Sequence, residues 1–549
     1  MHFSISRWQL FAWSAGIILA LPLLFLIFES LVPDPDVFEH LWNTVLWDYT
    51  YNTFVLIFGV LALSSLIALP LGWLVAYCDF PGKKHFEWAL MLPLAMPTYI
   101  IAYVYTDLLD YAGPVQIWLR STFGWQNPAD YWFFDIRTLP GAIVMIALVL
   151  YPYLYLIFKT ALREQSFKLV QASQLMGYSA SQSFFKVSLP LARGSIVAAL
   201  ALIAMEAMAD FATVNYFAVS TLTTAVYDTW LGYYSLTAAA KISGIMLLFV
   251  FMFLSIERYS RRKKAVHERG AVNNEAMLYQ LSKKNGVLAA GFCISVLLFA
   301  FFIPISILMS YAISYFDQAW NSEFFTYAWQ SLKLASIVSV ICVVLSVFIV
   351  FSQRLSEKPI DLFPGRMACM GYALPGTVLA IAVLLPLSML DDAVNQFVGQ
   401  FTNEPGLIFS GTLVAIIVAY VVRFYAVAQG TIEASFTRIS PSLDMASRSM
   451  GKTPGQTLTK IHFPLLRRGM LTAALLIFIE CMKELPAALL LRPFDFETLA
   501  THVFQYVSDE QLELASISAL FIVLVGLLPL YFITSSMEGA KFEEEAAHE

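Results

Sequence analysis

The sequence predicts an all-α polytopic membrane protein of about twelve transmembrane helices, arranged as two pseudo-symmetric six-helix domains. Three observations predict it. The 549 residues are 59% hydrophobic and only 13% charged, with a mean hydropathy of +0.69. Soluble proteins carry roughly 45–50% apolar and about 25% charged residues. So few charges do not cover the surface of a soluble protein this large, whereas lipid requires none. The second observation is a series of apolar runs long enough to span, each needing roughly 20 residues. The third is an internal repeat in the polar segments.

The apolar segments lie near 9–28, 53–77, 88–110, 139–160, 194–213 and 238–256, then near 286–311, 329–351, 367–390, 407–429, 469–490 and 513–534. Arg7 precedes the first, which is longer than a signal-peptide core and lacks an A-x-A site, so it reads as a retained helix. The most polar stretch, Arg258 to Lys284, divides the chain into a first domain at 1–265, a linker at 266–285 and a second domain at 286–549.

Basic residues alternate between loops. Residues 29–52, 312–328 and 391–406 have none, whereas 159–193, the linker and 430–468 are rich in them. Lys and Arg mark cytoplasmic loops, so both termini and the linker are expected in the cytoplasm. Six helices per half insert both halves the same way up, as in parallel repeats.

The halves align without a gap over their most polar segments. Ala172 matches Ala446, an offset of 446 − 172 = 274. The same offset pairs Ser173 with Ser447, Met176 with Met450, Gly177 with Gly451, Lys186 with Lys460, Pro190 with Pro464, Arg193 with Arg467 and Glu206 with Glu480. Lipid-facing helices resemble one another by composition alone, but polar loops do not. Leu169–Met176 and Leu443–Met450 each predict a short amphipathic helix stopped by a glycine. Each is followed by a proline at the start of the next membrane helix, where its missing N–H costs nothing. Two such braced helices are suited to taking force from a soluble partner.

This pattern resembles the "EAA" loop of ATP-driven importer permeases. It reads Gln171-Ala172-Ser173, three residues, Gly177, nine residues, then Val187-Ser188-Leu189-Pro190. The second copy reads Met445-Ala446-Ser447, three residues, Gly451, nine residues, then Ile461-His462-Phe463-Pro464. Gln171 and Met445 replace the family's Glu, so docking must rest on the helix, Gly and Pro frame. The resemblance implies a type I ABC importer permease (MetI-like) fold in a bacterial inner membrane. It also implies one docked ATPase per loop, hence two copies, and a periplasmic substrate-binding protein.

No enzymatic site is visible. A P-loop needs G-x-x-x-x-G-K-[ST], and the only look-alike, Gly451-Lys452-Thr453, has Ala446 at the first Gly position. ATP and Mg are therefore expected on the partner subunit, with no cofactor held by this chain. There is no H-E-x-x-H, no nucleophile elbow and no feature that suggests nucleic acid. Cys78, Cys293, Cys342, Cys369 and Cys481 have neither disulfide nor metal-ligand spacing. A secondary transporter also uses repeats and buried acids, but two docking loops and no evident broken mid-membrane helix speak against one.

Two further segments, 205–217 continuing to 230 and 479–486 continuing to 500, resemble those of fused ferric-iron permeases. Fused permeases for thiamine and phosphonates share the architecture, and polyamine import is a further alternative. Glu206 and Asp210 are four residues apart, as are Glu480 and Glu484, which predicts one helix face for each pair. Asp210 is 210 − 190 = 20 residues past Pro190, roughly 30 Å along a helix. Intramembrane acids usually face a protein interior or a water path, and hard cations favour oxygen ligands. The same acids also suit a structural role, with Lys483 pairing Glu480 or Glu484, or a gate-locking salt bridge. Tyr216, Tyr227 and Tyr233 suit either an interfacial belt or a cation contact.

Overall fold

The computed structural model describes residues 6–528 except 35, 165–172, 174, 263–278, 357 and 402–404. The principal helices are α1 (Arg7–Ser30), α2 (Leu46–Tyr77), α3 (Thr98–Leu109), α4 (Leu139–Glu164), α5 (Leu189–Ala209) and α6 (Leu236–Arg262). They continue with α7 (Lys283–Leu297), α8 (Ile303–Ser314), α9 (Ser322–Leu355), α10 (Gly376–Val398), α11 (Leu413–Thr437), α12 (Pro441–Ser449), α13 (Phe463–Lys483) and α14 (Leu499–Ser508). The two strands among the described residues form one two-residue parallel pair, Cys78–Asp79 with Tyr279–Gln280.

Nine helices among the described residues are long and apolar enough to cross a membrane. The count reaches ten if Lys83–Ala95 and Thr98–Phe123, bent by 88°, make one broken span. Three of the twelve expected segments fall outside the count of nine. The segment at 88–110 breaks at Met96-Pro97, where Met96 is extended (ψ 124°). Proline disfavours the α conformation of the residue before it, and the second half repeats the break at Leu374 (ψ 130°) before Pro375. Helix α13 is 21 residues long but carries Arg467, Arg468, Glu480 and Lys483. Leu512–Leu528 is shorter than a span, and the rest of the segment expected at 513–534 lies outside the described residues.

The chain forms two compact units, and neither is one half of the sequence. One comprises Met1–His40, Val226–Gly244 and Trp320–His502. Within it, α1 packs on α9, α10 and the short helix Phe363–Ala368. A Cβ at Gly16 would lie 2.6 Å from the Pro364 carbonyl oxygen, so only glycine allows this approach. Thr237 Oγ1 donates to Glu29 Oε1 at 2.7 Å and Ser235 Oγ to Asp34 Oδ2 at 3.0 Å, tying 235–244 to α1 and its C-terminal extension.

The other unit comprises Leu41–Ala225, Ile245–Ala319 and Val503–Glu549. Its centre is α2, α4 and α5 packed on one another, with α7 on α2 and α8 on α3. Buried tyrosines bind the broken segment to this centre: Tyr151 donates to the Leu90 carbonyl and Tyr155 to the Glu87 carbonyl, both at 3.0 Å. A buried hydroxyl needs such an acceptor, and carbonyls freed at a helix break supply it.

Candidate docking loops and acidic breaks

Among the described residues, several hydrogen bonds recur in the two loops at the offset of 274. Ser173 Oγ lies 2.6 Å from Ser183 Oγ, and Ser447 Oγ lies 2.7 Å from Thr457 Oγ1. Tyr178 N–H donates to the Ser173 carbonyl and Lys452 N–H to the Ser447 carbonyl, both at 3.1 Å. With Gly451 N–H donating to the Arg448 carbonyl at 2.9 Å, the second loop closes as a Schellman motif.

Gly177 (φ +85°) and Gly451 (φ +74°) are left-handed, and a Cβ at either would meet nothing within 4 Å. Glycine is therefore required for conformation and not for space. Gly451→Ala is expected to cost about 1 kcal/mol, the usual left-handed penalty for a residue with a Cβ. Thermal unfolding in detergent measures it.

Reciprocal caps follow: Ser179 with Gln182, and Thr453 with Gln456. Each loop then passes through a π turn, Phe184–Ser188 or Leu458–His462, into α5 or α13. Pro190 and Pro464 stand in the first turn of those helices. Gln171, Ala172 and most of the expected helix 169–176 lie outside the described residues. In the second loop α12 begins at Pro441, two residues before the expected Leu443. Met445 and Ala446 are exposed on it and Ser447 is buried. The loops present apolar side chains outward: Leu175 is 90% exposed, Met176 75% and Met450 66%.

The second loop has a connection that sequence reasoning missed. Asp444 Oδ2 accepts from Arg354 Nε at 2.7 Å, and Asp444 Oδ1 is 2.6 Å from His462 Nε2. Arg354 Nη1 and Nη2 donate at 2.7 Å to the carbonyls of Phe436 and Ile439. One guanidinium at the end of α9 thus satisfies the C-terminal carbonyls of α11 and holds the first turn of α12. These residues are 90 and 18 positions apart, so no local pattern signals them. The paired hydroxyls and caps, by contrast, were legible as hydroxyl and Gln positions repeated at 274.

His462 is buried, and its Nδ1 has no hydrogen-bond partner. Burial holds its imidazole below the ordinary histidine range, against the pull of Asp444 and with a further push from Arg354. It is a neutral ring donating Nε2–H, since a proton on Nδ1 would find no acceptor. The sign follows from linkage. A histidine depressed in the folded state stabilises above its unfolded value, near 6.5, and loses that contribution as pH falls below it. Asp444 and Arg354 are the charged groups that act on it, and Arg448 lines the same cavity. Melting between pH 7.5 and 5.5 is expected to fall more for the native chain than for His462→Gln.

The acidic pairs do not each share a helix face. Helix α5 ends at Ala209 and α13 at Lys483, so Glu206 and Glu480 are helical while Asp210 and Glu484 sit beyond the helix ends. Asp210 is extended (ψ 113°) and accepts from Thr213 N–H at 2.9 Å and Thr213 Oγ1 at 3.1 Å. The Thr98 hydroxyl also bonds its carboxylate. Glu484 is extended (ψ 122°) and accepts from Ala487 N–H at 3.2 Å. Each acid caps the short helix that follows, Ala212–Tyr216 or Pro486–Leu491, as carboxylates do at orphan N–H groups.

The expectation that no membrane helix is evidently interrupted is overturned by the 88° bend between Lys83–Ala95 and Thr98–Phe123, and the apolar runs at 194–213 and 469–490 also end in breaks. Sequence reasoning ran the helices through because the flanking residues are apolar. The cap signal, an acid three residues before the N–H it accepts, was present in Asp210-x-x-Thr213 and Glu484-x-x-Ala487.

Glu484 is buried, with Arg423 Nε 3.5 Å from Oε2. Lys483 pairs instead with Glu480, at 3.8 Å. Tyr216 is not a surface belt residue. Its ring centroid lies 4.6 Å from that of Tyr103, and the Arg137 guanidinium is 5.2 Å above it. Tyr233 is exposed.

The described residues form a helical membrane protein in which the same glycine–proline frame is built twice. The family described as "Binding-protein-dependent transport system inner membrane component" matches residues 68–265 and again 346–538, and the chain belongs to that family. It is thus an inner-membrane permease of an ABC importer and does not itself hydrolyse ATP.

Similar proteins include the "Fe(3+)-transport system permease protein FbpB 2" of Haemophilus influenzae, 24% identical over 94% of this chain and 96% of that protein. The "Ferric transport system permease protein FbpB" of Actinobacillus pleuropneumoniae is 22% identical over 80% of this chain and 64% of that protein. The "Molybdenum transport system permease protein ModB" of Escherichia coli is 28% identical, over 31% of this chain and 74% of its own length.

Proposed function

We propose that this chain forms the membrane pathway for ferric iron, received from a periplasmic binding protein and moved as two copies of an ATPase act on the two docking loops. The observation that carries the iron reading is full-length similarity to a protein named for Fe(3+) transport, 94% of this chain against 96% of that one. The molybdenum relative matches less than a third of the chain. In this reading each half is a six-helix type I permease domain, and the docking loops and both termini face the cytoplasm. ATP and Mg belong to the ATPase.

The proposed pathway acids are Glu206, Asp210, Glu480 and Glu484; Lys483 and Arg423 balance the last two, so the preference for a cation over an oxyanion rests chiefly on Asp210, whose like charge repels an anion. Asp210 and Glu484 set the helix breaks in their two units. Asp210→Asn retains a capping oxygen and removes charge, and Glu484→Gln does the same when made together with Arg423→Met, so that no unpaired charge is left buried. They are expected to slow uptake while leaving ATPase association intact, and unchanged uptake with both neutralised removes the pathway role.

The test of the whole reading is the chain reconstituted in proteoliposomes with its ATPase and binding protein. Ferric ion is expected to stimulate ATP hydrolysis and to accumulate inside. Stimulation by molybdate, thiamine, a phosphonate or a polyamine, with none by iron, overturns the substrate. Absence of any co-purifying ATPase overturns the docking assignment.

A further inference from the structure

The two docking loops share the hydroxyl pair, the bond across the glycine and the reciprocal cap, and the second has an anchor whose residues the repeat does not reproduce. The second is fastened by Arg354, Asp444 and His462. Their counterparts in the first half are found by subtracting the offset. Position 444 − 274 = 170 is Val170, 462 − 274 = 188 is Ser188, and 354 − 274 = 80 is Phe80. None of the three is ionisable, so the repeat does not carry this network in the first half. The fastening in the other unit lies elsewhere. Glu87 binds Arg163 at 2.6 Å and Lys159 at 3.6 Å, which holds the end of α4 to the short helix Lys83–Ala89.

We propose that Arg354, Asp444 and His462 are positioning residues that stiffly fasten the second docking loop to the helices around it, so that its displacement moves α9, α11 and α13 together. The geometry supplies the coupling. Asp444 lies in the first turn of α12, Arg354 in the last turn of α9 and His462 in the π turn that leads into α13. Arg354 also holds the carbonyls at the end of α11.

The Asp444 and Arg354 side chains are less than a fifth exposed, and that of His462 is 1% exposed. Screening by water is therefore slight and the charge-assisted bonds are strong. Phe351 and Phe436 pack edge-on against the imidazole, with centroids 5.5 and 5.4 Å away, and fix its plane. Helix α13 is the helix that ends at the Glu484 break. A rigid link from loop to helix transmits displacement, whereas a flexible one absorbs it. The apolar side chains that face a partner are not part of the network, so docking and transmission are separable.

The inference rests on the docking reading and is tested beside it. Asp444→Ala, His462→Leu and His462→Gln are made in the full chain and assembled with ATPase and binding protein. Three quantities are measured: the melting temperature, the ATPase bound per permease, and substrate moved per ATP hydrolysed. Asp444→Ala and His462→Leu are expected to bind the ATPase normally but to move at least tenfold less substrate per ATP. His462→Gln, which keeps an N–H for Asp444, is expected to restore most of the native ratio.

A purely structural role would lower melting temperature and assembly together and leave the ratio per assembled complex unchanged; that result overturns the proposal. Failure of His462→Gln to differ from His462→Leu also overturns it. If the native chain binds no ATPase, the docking reading has failed, and the stiffness claim falls with it.

Discussion

Arg423→Met is expected to destabilise the permease by about 3–5 kcal/mol, the usual result of leaving one member of a buried ion pair alone. The Glu484 side chain is 6% exposed and that of Arg423 13%, so water compensates little for the lost guanidinium. The carboxylate cannot move away, because it caps Ala487 N–H and lies against Gly376, where a Cβ would come within 2.6 Å of Oε1. Arg423 also donates to the Leu374 carbonyl at 3.4 Å, and Tyr420 donates to the Glu484 carbonyl at 3.2 Å. One guanidinium therefore serves two helix breaks, the one before Pro375 and the one at Glu484. Thermal or denaturant unfolding in detergent measures the loss. Arg423→Met combined with Glu484→Gln is expected to recover most of it, since the amide keeps the cap without the charge. A double variant no more stable than the single one would mean that the contact to Leu374 dominates.

Met176→Glu combined with Met450→Glu is expected to weaken ATPase association on the order of a hundredfold or more. Burying a methionine contributes roughly 1.5–3 kcal/mol, each factor of ten in affinity is about 1.4 kcal/mol, and two symmetric positions are changed. Both side chains face outward, 75% and 66% exposed, and they stand next to the glycines that close the loops. Folding should be unaffected, because exposed side chains leave no cavity. Co-purification with the ATPase reads the first effect and the melting temperature the second. Association unchanged by both substitutions would remove these methionines from the docking face.

The docking frame was legible because it is local. Glycine at a left-handed position, proline in a first helical turn and hydroxyls ten residues apart are constraints within twenty residues of chain, and duplication displayed them twice. The spans were legible where apolarity and length coincide, as in α9 and α11. Reading failed at 88–110 and in the runs that enter Asp210 and Glu484, because hydropathy does not distinguish a straight helix from one that breaks within an apolar environment. Pro97 and Pro375 carried that information, and so did the two caps. Of the partners of the acids, Lys483 was legible for Glu480 and Arg423 was not legible for Glu484. Lys483, one turn from Glu480 and adjacent to Glu484 in sequence, is held by Glu480, while Arg423, 61 residues before Glu484 (484 − 423 = 61), holds Glu484.

By itself the sequence determined the class: a duplicated helical membrane protein that resembles importer permeases, as the two family matches bear out. Hydropathy and local turn chemistry are properties of short segments and survive without knowledge of contacts. Tertiary structure alone decided which helices share a core. It groups α1 with the helices of the second half and α7 and α8 with those of the first, across the boundary expected at 266–285. It alone gave the second loop its Arg354–Asp444–His462 anchor. Both outcomes depend on residues far apart in the chain, whose contacts arise from packing and charge pairing and leave no periodic trace.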